Sequence, residues 1–456
     1  MADETFTPYS TGQSLFGAPP TWVSDTLEQA RLQAYSLYER MYWNVPDTFR
    51  LVQRGTNNAP VYVPSARTLV DTINRYVAPA YALNVHDRVE GPNGDSNDAI
   101  AARLALEDLM KRERFGAKFS GAKRFCQIQG DWVWHVTADP TKPVGSRISI
   151  NSLDPSMYFP QFDPDNIERV VAVFLAQPGT RGDDTVVRRI CYRKVPGTDG
   201  VATITVEEGL FATDTWEDLE ASPIEVIRAP EVLPPEITAI PVYHTKGFEE
   251  PGNPFGSSEI RGLEGLMAAV NQTISDEDLA IALDGIGMYA TTAPSPVDPV
   301  TKAPTAWQLG PGRVVHHPEG TDWARVNGVG SVSPFGDHYD RLWTGMKQAA
   351  ATPDVAVGTV DVSIAESGIA LALQLSPIIA KATEKDQLII ATHDQMWFDI
   401  LNGWYPAYEQ TIFNDIQVDS LVGSAVPVDR AARFTELNDM LDRGVIDAQY
   451  YRDEAE

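Results

Sequence analysis

The sequence predicts an α+β protein in which helical segments flank a β-rich middle. Three observations predict it. Apolar residues recur at helical spacing over 25–129 and 257–403, the period becomes strand-like over 130–245, and a Pro/Gly-rich stretch at 291–332 separates two helical segments. At 456 residues the chain is longer than one average domain, so about two to four structural units are expected.

Residues 1–24, rich in Pro, Gly, Ser and Thr and without periodicity, are expected to form a flexible arm. Asp25 fits an N-cap; Leu27, Arg31, Leu32, Tyr35, Tyr38 and Tyr42 fall near one stripe, and Pro46 ends the helix. Further helices are expected over about 64–83 and 96–129, the latter with Ile100, Leu104, Leu106 and Leu109 on its apolar face. Between Arg103 and Arg124 seven basic residues stand against three acidic ones, which reads as a solvated helix face or as a binding surface. Phe115, Phe119 and Phe125 within it read as core residues rather than base-stacking platforms. Strands are expected at Trp132–Val136, Arg147–Ile150, Val170–Leu175, Val186–Arg193 and Val201–Val206, with Asp-Pro turns at 139–140, 154–155 and 163–164.

Ile260, Leu263, Met267, Val270 and Ile274 then follow alternating three- and four-residue spacing, one narrow packing stripe on a long helix. The rest of 257–290 carries six acids against Arg261 alone, with Asp276, Glu277 and Asp278 contiguous. After the Pro/Gly insertion, which holds strand-like Val314-Val315 and Trp323–Val326, a short helix places Tyr339, Leu342, Trp343 and Met346 on one side. An irregular stretch, 351–365, leads into a long helix from about Glu366 to Gly403. Pro377 interrupts that helix, and its missing N–H predicts a kink. One more helical stretch is expected over Asp429–Leu441.

Lys and Arg number 36 against 63 Asp and Glu, a formal net charge of −27. That balance argues against tight binding of nucleic acid, or of an anionic membrane surface, through a basic patch. The acidic start lacks the basic and apolar stretches of a secretory leader, and the most apolar uncharged run, Ser367–Ala380, is shorter than the roughly twenty residues of a bilayer span. A soluble protein is expected. Cys126 and Cys191 are too few for a disulfide framework and are expected as buried thiols of a reduced protein.

No phosphate loop, dinucleotide fingerprint, nucleophile elbow or H-E-x-x-H motif occurs. His316 and His317 are adjacent, and neighbours on a strand point to opposite faces, a poor chelate. No catalysis, metal or cofactor is therefore expected. The abundance of acids leaves open a polysaccharide hydrolase acting through two carboxyls, and a capsid or tail structural protein outside any channel is a further alternative.

The order of parts carries more information than any single motif. Ile240-Pro-Val-Tyr-His-Thr-Lys leads into Pro254-Phe-Gly-Ser-Ser-Glu-Ile260, which opens a helix containing Asn271-Gln-Thr-Ile-Ser275-Asp276; later come Glu366-Ser-Gly-Ile-Ala-Leu-Ala-Leu373 and Ser376-Pro-Ile-Ile-Ala-Lys381. This succession resembles the portal proteins of tailed bacteriophages, of the SPP1-like portal family. There a P-x-G-x-S-E helix start, an N-x-x-x-S-D segment and an S-G-x-A-L helix entry recur in this order. The likeness spans roughly 25–405 and is sharp in 238–280 and 364–385.

The resemblance implies a ring, usually of twelve copies, at one capsid vertex of the virion, assembled in the host cytoplasm, through which double-stranded DNA is packaged and ejected. It implies a portal-type fold: 25–255 as a helical and β wing, 257–288 as a stem helix, 289–333 as a small α/β clip and 335–350 as a second stem helix. It further implies 351–365 as a tunnel loop, 366–403 as a kinked wing helix and 404–456 as a short helical crown. By the same resemblance Asp354, Val355, Asp361 and Ser363 would face DNA, and Asp276, Glu277 and Asp284 would lie on the channel face of the stem. Trp307, His316, His317 and Trp323 would meet the terminase large subunit or the head–tail adaptor. Major capsid and scaffolding proteins are further implied partners, with no membrane. An acidic wall suits this role, because DNA moving through a pore must not be held by counterion-releasing contacts.

Overall fold

The computed structural model describes residues 7–8, 21–52, 59–89, 91, 96–197, 202–286, 288–305, 319–326, 333–358, 368–423 and 438. The chain divides into two compact units: Met1–Trp43, Ser65–Arg261 and Lys347–Glu456 form the first, and Asn44–Pro64 with Gly262–Met346 the second.

The arm expected over 1–24 is fastened at two places. Strand β1 (Thr7–Pro8) pairs with Thr180 and Gly179, and Trp22 and Val23 are buried. Asp25 caps α1 (Thr26–Tyr42) by accepting from the Leu27 amide at 2.7 Å. Leu32, Tyr35, Tyr38, Met41 and Tyr42 are buried, but Leu27 is 80% exposed, so the apolar stripe starts one turn later than its first leucine. Helix α2 (Ser65–Tyr76) stops short of the expected end because the chain turns at Ala78, φ 40°, into strand β2 (Tyr81–Asp87).

Two helices, α3 (Asn97–Arg112) and α4 (Phe115–Gln129), replace the single one expected over 96–129; Arg114 takes a left-handed φ of 52° and breaks the axis. Leu106, Leu109, Phe115 and Phe119 are buried, whereas Ile100 and Leu104 face solvent. Several cations of this stretch act as internal fasteners. Arg112 donates to the Ile148 carbonyl at 3.0 Å and Lys118 to Glu113 at 2.9 Å, while Lys123 reaches the carbonyls of Val77 (2.7 Å) and Ala78 (3.1 Å).

The middle of the first unit is antiparallel β, as expected. Strands β3 (Asp131–Ala138) and β4 (Ile148–Leu153) are followed by β5 (Tyr158–Asp163), β6 (Asn166–Arg181), β7 (Asp184–Val195), β8 (Thr203–Ala212) and β9 (Glu225–Val232). The last four form a sheet in the order β1-β6-β7-β8-β9 with β5 also on β6, while β10 (Val242–Lys246) joins β3 and β4 in a second sheet. One core gathers Trp22, Leu32, Phe159, Phe174, Phe211 and Trp216. Buried Arg189 holds its rim: the guanidinium lies 3.8 Å from the Phe211 ring centre and donates to the carbonyls of Trp216 (2.8 Å) and Asp218 (2.7 Å) and to Glu207 (3.0 Å).

In the second unit, α5 (Glu264–Ile286) begins at Glu264, not 257, so the Pro254–Ile260 motif precedes the helix rather than opening it. Leu263, Met267 and Val270 are buried. The polar side of α5 is zipped to the segment 44–64, which the expected wing contained. Asn271 Oδ1 accepts from Val63 N at 2.7 Å, Ser275 Oγ from Val61 N at 2.9 Å and Gln272 Oε1 from Val52 N at 2.7 Å. Strands β11 (Met288–Thr291) and β12 (Trp323–Val326) pair antiparallel, and Val297 bridges Pro304. Among the described residues of 289–332 there is no helix, so the α part of an α/β clip is not seen there. Helix α6 (Ser333–Ala349) buries Met346 and half-buries Tyr339, Leu342 and Trp343 on the expected side.

Back in the first unit, 351–365 is not wholly irregular: Asp354–Val357 forms one helical turn, α7. Helix α8 (Gly368–Asp399) is prolonged by π-helical turns over Ile400–Glu409. Pro377 lies inside α8 and cannot donate to the Leu373 carbonyl; Ser376 Oγ donates to it instead, at 2.8 Å. Residues 404–423 pack with the rest of the first unit. Trp404 and Tyr405 are buried in the main core of the first unit, and β13 (Ile416–Val422) pairs with β2. The stretch Asp429–Leu441 lies outside the described residues apart from Asn438.

The main core contains neutral histidines. Trp134 Nε1 donates to His393 Nε2 at 3.0 Å, the other ring nitrogen meets Tyr81 Oη at 3.1 Å, and His135 Nε2 meets Tyr192 Oη at 2.8 Å. Burial lowers His393 from 6.5 to about 3 and His135 from 6.5 to about 4. Below the ordinary histidine range the unfolded chain therefore takes up protons that the folded one refuses, and stability falls with pH. Burial lowers His86 too, but its bonds to the Asp87 carbonyl and Asp419 outweigh that and raise it, so this group opposes the trend. Urea unfolding should show a loss of about 2 kcal/mol per buried histidine between pH 7 and pH 5; equal or greater stability at pH 5 would contradict the account.

Candidate functional site

The sharpest motif, Pro254–Ile260, closes a junction of three backbone segments in the first unit. Helix α4 ends at Gly130 with φ 98°, a left-handed cap that delivers the chain into β3. Gly130 O accepts from Gly247 N at 2.6 Å, just past β10. Gly256 packs against the same carbonyl so closely that a Cβ there would sit 2.2 Å from the Gly130 oxygen, and a Cβ on Gly130 would sit 2.7 Å from the Ser257 carbonyl carbon. Only glycine permits this approach. The loop is then stitched to the end of α4 by Ser258 Oγ to Ile128 O (2.5 Å) and Glu259 N to Gln127 O (3.0 Å).

Two buried carboxylates bracket the junction. Asp131, fully buried, accepts from Tyr35 Oη at 2.5 Å, His244 Nε2 at 2.6 Å and Gly256 N at 2.7 Å. These bonds tie α1, β10 and the motif loop to the first residue of β3. Glu259, its side chain 6% exposed, receives Lys381 Nζ at 2.5 Å and Lys385 Nζ at 2.7 Å from α8. Lys381 also donates to Ala350 O at 2.9 Å and Lys385 to Gly247 O at 2.5 Å. Burial alone would raise the Glu259 carboxyl, but the two ammonium groups outweigh it and hold it below the usual carboxylate range. The two motif regions of the sequence, around 254–260 and 376–385, thus meet in one ion cluster.

Beside the junction lies an open groove of about 930 Å³, lined by Glu28, Tyr38, Trp216, Glu217 and Ser257 among others, with Arg31 at its floor. Arg31 lies 4.3 Å from the Phe255 ring centre and donates to Glu28 and to the carbonyls of Pro155 and Tyr158 (2.9 Å each). Its fork is thus committed to the fold. Burial pushes the Cys126 thiol up to about 12 and Cys191 up to about 11, which makes both poor nucleophiles. Among the described residues no group of three or more His, Cys, Asp or Glu could hold a metal ion, and no helix is long and apolar enough to cross a membrane. The arrangement is built to hold backbone segments together.

Of the residues singled out in the sequence, Asp354 opens α7 and pairs with Lys347, and half-buried Val355 packs against the main core. Asp276 and Glu277 are half-buried on α5, and Asp276 accepts from Gln272 Nε2 at 2.9 Å. Asp284 lies on the same helix. Trp323 stands opposite Thr291 in the β11–β12 pair. Asp361, Ser363, Trp307, His316 and His317 lie outside the described residues. The pair Lys381 and Lys385, spaced four apart after the largely apolar run Leu373–Ala380, was the signal for a buried anion partner, and Asp131 at the head of a strand with two tryptophans was another.

No protein-family model matches the sequence, and no curated protein matches it. Solved structures do. Chains of the neck of an empty GTA particle computed with C6 symmetry are similar at 14% identity and TM-score 0.43, covering 82% of this chain and 86% of theirs. The virion of a native gene transfer agent (GTA) particle gives 13% identity and TM-score 0.41 with 86% and 91% covered. The neck of the native particle computed with C12 symmetry gives 13% and 0.44 with 87% and 94%. A likeness of this degree assigns neither family nor activity.

Two substitutions test the junction, and a third serves as their comparison. Gly256→Ala should lower stability by about 3 kcal/mol or more, since backbone must move to admit the methyl group. Gly265→Ala, on an exposed helical position with open space, should instead raise it by about 0.5–1 kcal/mol. Glu259→Gln should cost about 3–5 kcal/mol by leaving two partly or fully buried ammonium groups without their anion. Chemical denaturation reads all three, and a Gly256→Ala protein as stable as the parent would refute the close approach.

Proposed function

We propose that the chain is the subunit of a portal-type ring of a phage-like particle, of the SPP1-like kind, forming the channel for double-stranded DNA. One observation carries the reading: the two motif regions that order the sequence meet at Glu259, and residues 262–346 between them belong, with 44–64, to a separate compact unit holding two helices and a strand pair. A stem and clip set apart from a wing call for that division. The zipper from Asn271 and Ser275 gives the N-x-x-x-S-D segment a physical task in the same reading.

In this proposal about twelve copies close into a ring at a capsid vertex. The second unit, with β11 and β12, meets the terminase large subunit and later the head–tail adaptor. ATP hydrolysis belongs to the motor, and the subunit has no catalysis of its own. The net charge of −27 keeps the wall from retaining DNA, since few cations are present to displace its counterions.

Negative-stain imaging of purified protein should show rings with a central pore; monomers or dimers at every protein concentration and salt would overturn the reading. Deleting 300–325 should abolish DNA packaging or tail attachment while rings still form. Packaging and tail attachment at parental yield would remove this segment from the motor and adaptor interface.

A further inference from the structure

The Glu259 cluster contains two cations for one carboxylate, and the two are not equivalent. Lys385 is 2% exposed at its side chain and runs inward to Gly247 O, within the glycine junction. Lys381 is 24% exposed and runs outward to Ala350 O. That carbonyl follows the end of α6, where Ala351 takes φ 54° and no further helical amide arrives to satisfy it. The carbonyls before it are closed locally, by Ala351 N to Gln348 O at 3.2 Å and Thr352 N to Lys347 O at 2.9 Å. Lys347 also pairs with Asp354. Residues 347–358 are thus bonded within themselves and joined by one charged arm to a cluster that stays neutralised without it.

We infer that Lys381 is a releasable latch that holds segment 347–358 against α8, whereas Lys385 is the permanent partner of Glu259. If Lys381 lets go, Lys385 still satisfies the buried carboxylate, so the segment can part from the junction without exposing an unpaired buried charge. What remains of its attachment is the packing of buried Ala350, Thr352 and Ala356 and half-buried Val355, with α7 against α2 and α8, and a short segment without its charged tie opens more readily than the core. The consequence for a loop beside a translocating cargo rests on the portal reading, but the latch itself does not.

Hydrogen exchange on the full-length protein tests it. Lys381→Met should leave the urea midpoint near the parental value while amides of 350–358 exchange about tenfold faster, the effect of one lost charged hydrogen bond. Amides of β3 and β7 should keep their parental rates. Lys385→Met should lower the midpoint clearly. Unchanged exchange over 350–358 in Lys381→Met, or a midpoint that falls as far as in Lys385→Met, would overturn the latch. A failed latch leaves ring formation untouched, and an absent ring leaves the exchange result untouched.

Discussion

The fold of the first unit depends on burying two carboxylates where three backbone segments touch. An ionised carboxyl taken out of water costs several kcal/mol unless its oxygens are met, and here each is met by groups from distant parts of the chain. Asp131 collects a phenol from α1, an imidazole from β10 and a backbone amide from the motif loop. Glu259 collects two ammonium groups from α8. None of these donors is available until the segments have come together, so Asp131 and Glu259 find their partners only once the segments have met. The glycines at 130, 247 and 256 set the distance at which this is possible.

The junction also lies close in sequence to two of the places where the chain passes between the units. The chain leaves the first unit after Arg261, two residues beyond Glu259, and re-enters it at Lys347, three residues before the carbonyl that Lys381 holds. Both Glu259 and the Ala350 carbonyl are held by α8 within the first unit. The weak point of α8, Pro377, is relieved by a serine hydroxyl rather than left open, and the helix of 32 residues packs along the main core and continues into the π-helical turns. An extra residue per turn there brings Trp404 and Tyr405 into the core beside β13.

Period and punctuation made much of this legible. The antiparallel middle, the Asp25 cap, the burial of both cysteines and the packed side of α6 all follow from residues within a few positions of each other. What stayed hidden depends on distant partners. Arg114 gives no local sign that it will take a left-handed turn, so two helices read as one. Lys123 and Arg112 read as surface cations because their carbonyl partners belong to other elements. The segment 44–64 read as wing because its zipper to Asn271 and Ser275 spans more than two hundred residues. Among the 63 acids of the sequence nothing local marks Glu259; the fold singles it out by burying it, while Glu250 stays near the surface with Ser257 and Arg261.

The acidity that argues against a tight nucleic-acid binder is compatible with the proposed conduit, which is the central claim. A symmetry-resolved electron cryomicroscopy map along the axis of the assembled protein tests it most directly. The account predicts a through-going pore whose narrowest ring is made by residues of 351–365, with density for β11 and β12 away from that constriction. A closed axis, or a pore lined at its narrowest point by the six-stranded sheet, would contradict it.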